Sequence, residues 1–282
     1  MSKGWQMAQA LQQGLSLGLP RLEVQMLLLL ALQRDPNDRA WLLAHDQEVV
    51  PQDAAARYSE LLQRRQAGEP LAYLRGSKEF FGLMLHVDAR VLDPRDDTET
   101  LVEWALACWD GFGPCAARVL DLGTGSGAIA LALQAQRPQA TVWAVDASEA
   151  ALAVAQGNAR RLGLNVHFVA SNWFDALQGQ QFELVVSNPP YIPEYDPHLP
   201  ALRHEPRGAL VSGTDGLDDL RTLVRTAPRH LTAGGWLLLE HGHDQAPAVR
   251  ELLSQAGFGS VQSRCDLAGI ERCSGGQWPG VK

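Results

Sequence analysis

Arg118-Val119-Leu120-Asp121-Leu122-Gly123-Thr124-Gly125-Ser126-Gly127, running directly into the Ala-rich segment Ala128 to Gln136, decides the fold. Its apolar start reads as a buried strand. The three alternate glycines then let the backbone turn tightly and come close to a ligand before a helix begins. Strand, glycine turn and helix in that order predict an α/β fold, with a mostly parallel sheet covered by helices. The same alternation continues outward. Strands are expected at Thr141 to Val145, Val166 to Ala170, Phe182 to Ser187 and Trp236 to Glu240, and helices at Ala147 to Leu162, Leu217 to Leu231 and Gln245 to Ala256. A further helix follows Thr98, and the tail beyond Phe258 can supply two more strands.

Upstream the period changes. From Met1 to about Ala67 apolar residues recur at helical spacing, as in Leu11, Leu15, Leu19 and again in Tyr58, Leu61, Leu62. This predicts a small helical domain over residues 1–70, subdivided at Pro20 and at Asp35-Pro36-Asn37-Asp38, whose last residue is a helix-cap candidate. Gly68-Glu69-Pro70 and the apolar and aromatic segment Leu71 to Val91 read as extended structure with a hairpin near Gly82. They form a linker over 71–97 into a domain at 98–282. With 282 residues, 46% of them hydrophobic and 20% charged, the chain can bury a core in both domains.

Composition removes several function classes. A net charge of -8 without any Lys or Arg run lacks the electrostatic footprint of a nucleic-acid binder. The longest apolar run, Met26 to Leu32, is far shorter than the ~20 residues a membrane span needs. Cys108, Cys115, Cys265 and Cys273 form no CxxC pair, and the N-terminus has no secretory pattern, so a reducing cytoplasm is expected. His241 and His243 stand two apart without a third ligand, which argues against a metal site, and the absence of a G-x-S-x-G elbow argues against a hydrolase.

The glycine loop reads GxGxG with Asp121 two residues ahead, rather than GxGxxG, which favours S-adenosylmethionine over a dinucleotide. Asp121, Gly123, Thr124, Gly125, Ser126 and Gly127 are therefore candidate cofactor residues. Asp146 ends the next strand, at the offset where a carboxylate accepts from ribose hydroxyls; it can equally cap the helix that follows. Asn172 and Trp173 follow the third strand where an adenine would lie, with a core tryptophan as the alternative. The sharpest motif is Asn188-Pro189-Pro190-Tyr191 after the fourth strand, where adjacent prolines hold the backbone extended. The lone pair of a planar amide or amino nitrogen is delocalised, so a methyl-transfer site must accept both N–H hydrogens and aim the nitrogen. The Asn188 side-chain oxygen can take one hydrogen, the Pro189 carbonyl the other, and the Tyr191 ring can face the planar group.

With these residues in order, the chain resembles the bacterial peptide chain release factor glutamine N5-methyltransferases over nearly its whole length. The resemblance also rests on Gly68-Glu69-Pro70-Leu71-Ala72-Tyr73, Glu79-Phe80-Phe81, Pro94-Arg95-Asp96-Asp97-Thr98-Glu99, Glu205-Pro206 and Asp215-Gly216-Leu217. It implies a seven-stranded, Rossmann-like S-adenosylmethionine-dependent methyltransferase domain behind a small N-terminal helical domain that docks the substrate. It also implies donor contacts from Gly123 to Gly127, Asp146, Trp173 and Asn188. Asn188, Pro189, Pro190 and Tyr191 would hold the glutamine of the Gly-Gly-Gln tip of a translation release factor. Two positions depart from the family: Asp96, where proline is more common, and Asn172, which replaces a usual aspartate. A relative that methylates a ribosomal-protein glutamine shares the tetrapeptide, and a DNA or RNA methyltransferase acting on a flipped base meets the same planar NH2. The linker segments favour the release-factor enzyme. Acidity and the lack of a target-recognition insert argue against nucleic acid.

Overall fold

The computed structural model describes residues 5–109 and 117–280, so Cys115 lies outside the described residues. The chain divides into two units, residues 1–77 and 78–282. The first unit contains helices α1 (Met7–Ser16), α2 (Arg21–Ala31), α3 (Arg39–Ala44), α4 (Gln52–Gln66) and α5 (Leu71–Arg75). Prolines at 20, 51 and 70 directly precede α2, α4 and α5, and Asp38 caps α3 by accepting from the Trp41 N–H. The apolar run in α2 is core: Leu27, Leu28 and Leu29 are fully buried with Val24, Tyr58 and Leu62. Residues 71–75 correct the expected extended linker. Pro70 opens a helical turn there and Gly76, in the left-handed region, closes it, while Ala72 and Tyr73 are buried. Apolar content alone cannot separate a short strand from one buried helical turn.

Between α1 and α2 the backbones come close at Gly14. A Cβ placed there would lie 2.7 Å from the Tyr58 hydroxyl oxygen and 2.7 Å from a Val24 methyl. The Tyr58 hydroxyl is itself held, donating to the Ala10 carbonyl at 3.1 Å. Gly14→Ala should therefore lower the thermal unfolding temperature. Overpacking costs ~1–3 kcal/mol, which outweighs the ~1 kcal/mol gained in helix propensity. A raised unfolding temperature would mean that the two helices are not in contact at this point.

In the second unit a hairpin of β1 (Ser77–Phe80) and β2 (Leu83–His86) turns at Phe81 and Gly82, both with positive φ. The remaining elements are α6 (Glu99–Trp109), β3 (Arg118–Leu122), α7 (Ala128–Gln136), β4 (Thr141–Asp146), α8 (Glu149–Leu162), β5 (His167–Ala170), β6 (Phe182–Ser187), α9 (Asp218–Thr226), β7 (Leu231–Glu240), α10 (Ala246–Gln255), β8 (Gly259–Cys265) and β9 (Glu271–Gln277). They build one seven-stranded sheet ordered β5-β4-β3-β6-β7-β9-β8. Its pairs are parallel except for β9, which is antiparallel to both neighbours. This is the expected doubly covered α/β sheet, with the tail supplying its last two strands.

Period-two alternation sorts side chains between the faces. Leu237 and Leu239 of β7 join Leu120, Leu122 and Val185 in a core closed by Leu220, Leu223 and Val224 of α9 and Val249 and Leu253 of α10. Leu238 points the other way, toward Trp104 of α6, into room left by Gly275, where a Cβ would meet the Leu238 side chain at 2.5 Å. The helix expected to reach Leu231 instead ends at Thr226. Pro228 lies in a short 3-10 turn after it, and β7 starts at Leu231 with a bulge before Trp236. The order of strands reverses beside β3, since β4 lies on one side of it and β6 on the other. In a doubly wound sheet this is where a ligand crevice opens.

Candidate active site

A cavity of about 540 Å³ opens at that crevice, walled by Gly123, Gly125, Asp146, Asn172, Trp173, Asn188 and Pro190, with Arg90 to Leu92, Ser148, Pro206, Ala209 and Asp219. The glycine loop contributes to it through backbone alone. Gly123 and Gly125 reach the wall, both at positive φ, and a Cβ on Gly123 would lie 3.3 Å from the Trp173 ring. Thr124 and Ser126 are buried behind the loop, and Gly127 starts α7 in the left-handed region. These three residues do not line the cavity and stand here as supports of the loop.

Asp121 likewise does not line the cavity. Its carboxylate is fully buried, accepting from the Thr124 hydroxyl at 2.6 Å and the Ala130 N–H at 3.2 Å, while Oδ1 has no hydrogen-bond partner. It braces the loop from beneath. Asp146 does reach the cavity. One of its oxygens accepts from the Gly125 N–H at 2.9 Å and the other from the Ser148 N–H at 2.8 Å. Ser148, and not Asp146, caps α8 by accepting from the Ala151 N–H. A carboxylate offers about four acceptor sites, so Asp146 keeps capacity for two hydroxyl donors.

Trp173 and Phe174 point to opposite sides. Phe174 is buried and stacks on His230. Trp173, at a φ of 48°, presents its ring to the cavity beside Gly123, with its Nε1–H donating to Asp219 at 3.2 Å. Asn172 is exposed on the cavity wall.

A second, smaller cavity of about 130 Å³ is walled by Arg95, Tyr191, Ile192, Leu202 and Leu210, and it shares Leu92, Asn188 and Ala209 with the first. Pro189 is buried behind it. Glu205, buried to 7% exposure, ties this wall together by accepting from the Asp93 N–H and pairing with Arg95. Neither Glu205 nor the 92–95 segment carries a pattern that marks it as a wall; family order alone singles them out. Behind Asn188, its Nδ2 donates to the Thr98 hydroxyl at 3.3 Å. Glu240 is 2% exposed, and burial pushes its carboxyl up to about 7 while side-chain hydrogen bonds from Thr98 and Asn188 pull it down. His241, next along the strand, is occupied by Ser274 and the Gly242 carbonyl.

Two family models match the chain, "PrmC N-terminal domain" over residues 6–76 and "Methyltransferase small domain" over residues 111–201. The chain is 53% identical over 262 residues to the release factor glutamine methyltransferase of Bordetella pertussis, covering 92% of this chain and 95% of that protein. It is 50% identical over 261 residues to the release factor glutamine methyltransferase of Pseudomonas aeruginosa, covering 92% of each. A solved methyltransferase from Pyrococcus furiosus shares the fold, with a TM-score of 0.52 at 20% identity, covering 79% of this chain and 100% of that one. Sheet, glycine loop and sequence matches together define a methyltransferase. The chain belongs to the release factor glutamine methyltransferase family. No described helix is long and apolar enough to cross a membrane.

The Asp121 brace has a pH signature. Burial, aided by the nearby Asp146 charge, pushes its carboxyl up to about 7 against the Thr124 and Ala130 bonds. An unfolded carboxyl titrates near 4, so stability present at low pH is lost as pH rises from about 4 through 7. Asp121→Asn keeps an acceptor for Thr124 and Ala130 and does not ionise. Its unfolding free energy relative to wild type should therefore rise by roughly 1–3 kcal/mol between about pH 5 and about pH 8. Parallel stability–pH curves for the two proteins would place the titration elsewhere.

Proposed function

We propose that the chain transfers a methyl group from S-adenosylmethionine to the side-chain amide nitrogen of the glutamine in the Gly-Gly-Gln motif of translation release factors. The observation that carries this reading is the meeting of the two cavities at Asn188. The larger one suits the donor. Gly123 and Gly125 leave backbone open to it, Asp146 has acceptor capacity for ribose hydroxyls, and the Trp173 ring supplies an apolar face for a purine. Asn172 retains a side-chain oxygen that can accept from an adenine amine where the family more often has aspartate. S-adenosylmethionine supplies an electrophilic methyl carbon on a sulfonium.

The residues of the chain do the rest by position. Asn188 Oδ1 accepts one hydrogen of the glutamine NH2 and the Pro189 carbonyl the other, which aims the nitrogen toward the larger cavity. Tyr191 lies along the smaller cavity against the planar amide, and burial holds its hydroxyl well above the usual phenol range, so it stays neutral. The absence of a CxxC pair and a release-factor substrate both support a cytoplasmic reaction. An acidic chain without a basic run has little to offer a nucleic-acid target.

Asp146→Ala should weaken donor binding by ~1–3 kcal/mol, read by calorimetry, since it removes the ribose acceptor and frees the Gly125 N–H. Unchanged affinity would put the ribose elsewhere. Asn188→Leu should abolish most transfer, because the amide loses a buried hydrogen bond and its aim, and a misplacement of about 1 Å can cost ~100-fold. Labelled donor incubated with release factor and, separately, with DNA decides the substrate. Incorporation into release factor that Asn188→Leu removes is expected, whereas incorporation into DNA alone would overturn the assignment.

A further inference from the structure

We propose that Glu240 is a positioning residue that fixes which edge of the Asn188 amide faces the acceptor, an inference that rests on Asn188 being the acceptor of a substrate amide hydrogen. The two edges of an asparagine amide are nearly identical in shape, so packing alone does not choose between them. Hydrogen bonding does. In its ionised form, above the value of about 7 to which burial raises it, the Glu240 carboxylate only accepts, and it then selects the NH2 edge and turns the oxygen away.

The fold sets this neighbour in place. In the parallel ladder Ser187 of β6 pairs with Leu239 of β7, so the next residues, Asn188 and Glu240, stand side by side where the strands end. Thr98, 3% exposed, completes the group: its hydroxyl accepts from Asn188 Nδ2 at 3.3 Å, and both side chains act on the Glu240 carboxyl, pulling it toward its ionised form. Glu240 belongs to neither cavity wall, so it acts on the chemistry through neighbours, of which Asn188 stands beside it in the ladder and Tyr191 feels its charge. Its Oε2 is buried without a hydrogen-bond partner. Such a group costs stability, and an apolar residue of similar size would be the better choice for packing alone. Asp97, Tyr191, Arg272 and Cys273 are the other ionisable groups around it, and none of them supplies the missing partner: Arg272 pairs with Asp97 and Asp266.

Glu240→Gln tests this, because a glutamine keeps the shape but can offer its own NH2 to Asn188 and so permit the wrong edge. At saturating donor and release factor, the turnover rate should fall about 10–100-fold while donor Kd and the KM for release factor stay within about twofold. In an Asn188→Leu background the same change should alter the residual rate by less than about twofold, since its route is gone. Thr98→Val, which removes the hydroxyl without changing size, should lower the rate in the same direction and lose its effect in that background too. It serves as the test if Glu240→Gln does not fold. A wild-type rate in either folded variant, a loss confined to donor Kd, or equal drops in both backgrounds would overturn the inference. If Asn188→Leu itself keeps the wild-type rate, what fails is the reading of Asn188 beneath it.

Discussion

The parallel pairing of β4, β3, β6 and β7 is the constraint on which the rest depends. Val145, Leu122, Ser187 and Leu239 form one row across the sheet. The Ser187 hydroxyl locks its middle by donating to the Leu122 carbonyl at 2.7 Å. The residues one step beyond that row are Asp146, Gly123, Asn188 and Glu240. Asp146, Gly123 and Asn188 reach the crevice because buried, hydrogen-bonded strands end at or just before them, and Glu240 stands beside Asn188 outside both cavity walls. A slip of one residue in any strand would turn that position toward the opposite face, and the apolar alternation of the four strands opposes such a slip over their whole buried length.

Much of this was legible in the sequence because it follows from backbone rules. Glycines at alternate positions after an apolar strand, and two prolines that cannot continue one, mark strand ends without reference to anything distant. What the sequence did not reveal is which side chains of those motifs face the ligand. Thr124 and Ser126 alternate with Gly123 and Gly125 along the chain, yet a turn of this tightness sends the two kinds of residue to opposite sides. The spacing of Asp121 suggests a donor contact, whereas the strand that buries Leu120 and Leu122 on either side of it holds its carboxylate under the loop. The helix at Leu71–Arg75 leaves no signal for a different reason, since five residues are too few to display a period. Arg95, Thr98, Glu205 and Glu240 act through partners from 52 to 142 positions away or through burial, neither of which leaves a local pattern.

The site carries a cost in buried polar groups. Asp121 and Glu240 each keep one carboxylate oxygen without a hydrogen-bond partner, on either side of the Asn188 strand. Both are ionisable groups left short of a partner, whereas the helical unit has a Leu-rich core with a paired Tyr58 hydroxyl and leaves only the neutral amide oxygen of Gln13 unpartnered among its described residues. Such a division is expected where geometry is held for chemistry. One carboxylate holds the shape of the loop that meets the donor, and the other faces the amide that meets the acceptor.

The central claim is that the glutamine amide is gripped between the Asn188 side-chain oxygen and the Pro189 carbonyl, at the junction of the two cavities. A crystal structure of the chain with S-adenosylhomocysteine and a Gly-Gly-Gln peptide measures this directly. The expected result is a glutamine side chain in the smaller cavity, with its nitrogen within hydrogen-bond distance of both oxygens and facing the donor sulfur. A peptide glutamine bound elsewhere, or an amide whose oxygen and not its nitrogen faces the donor, would contradict the claim.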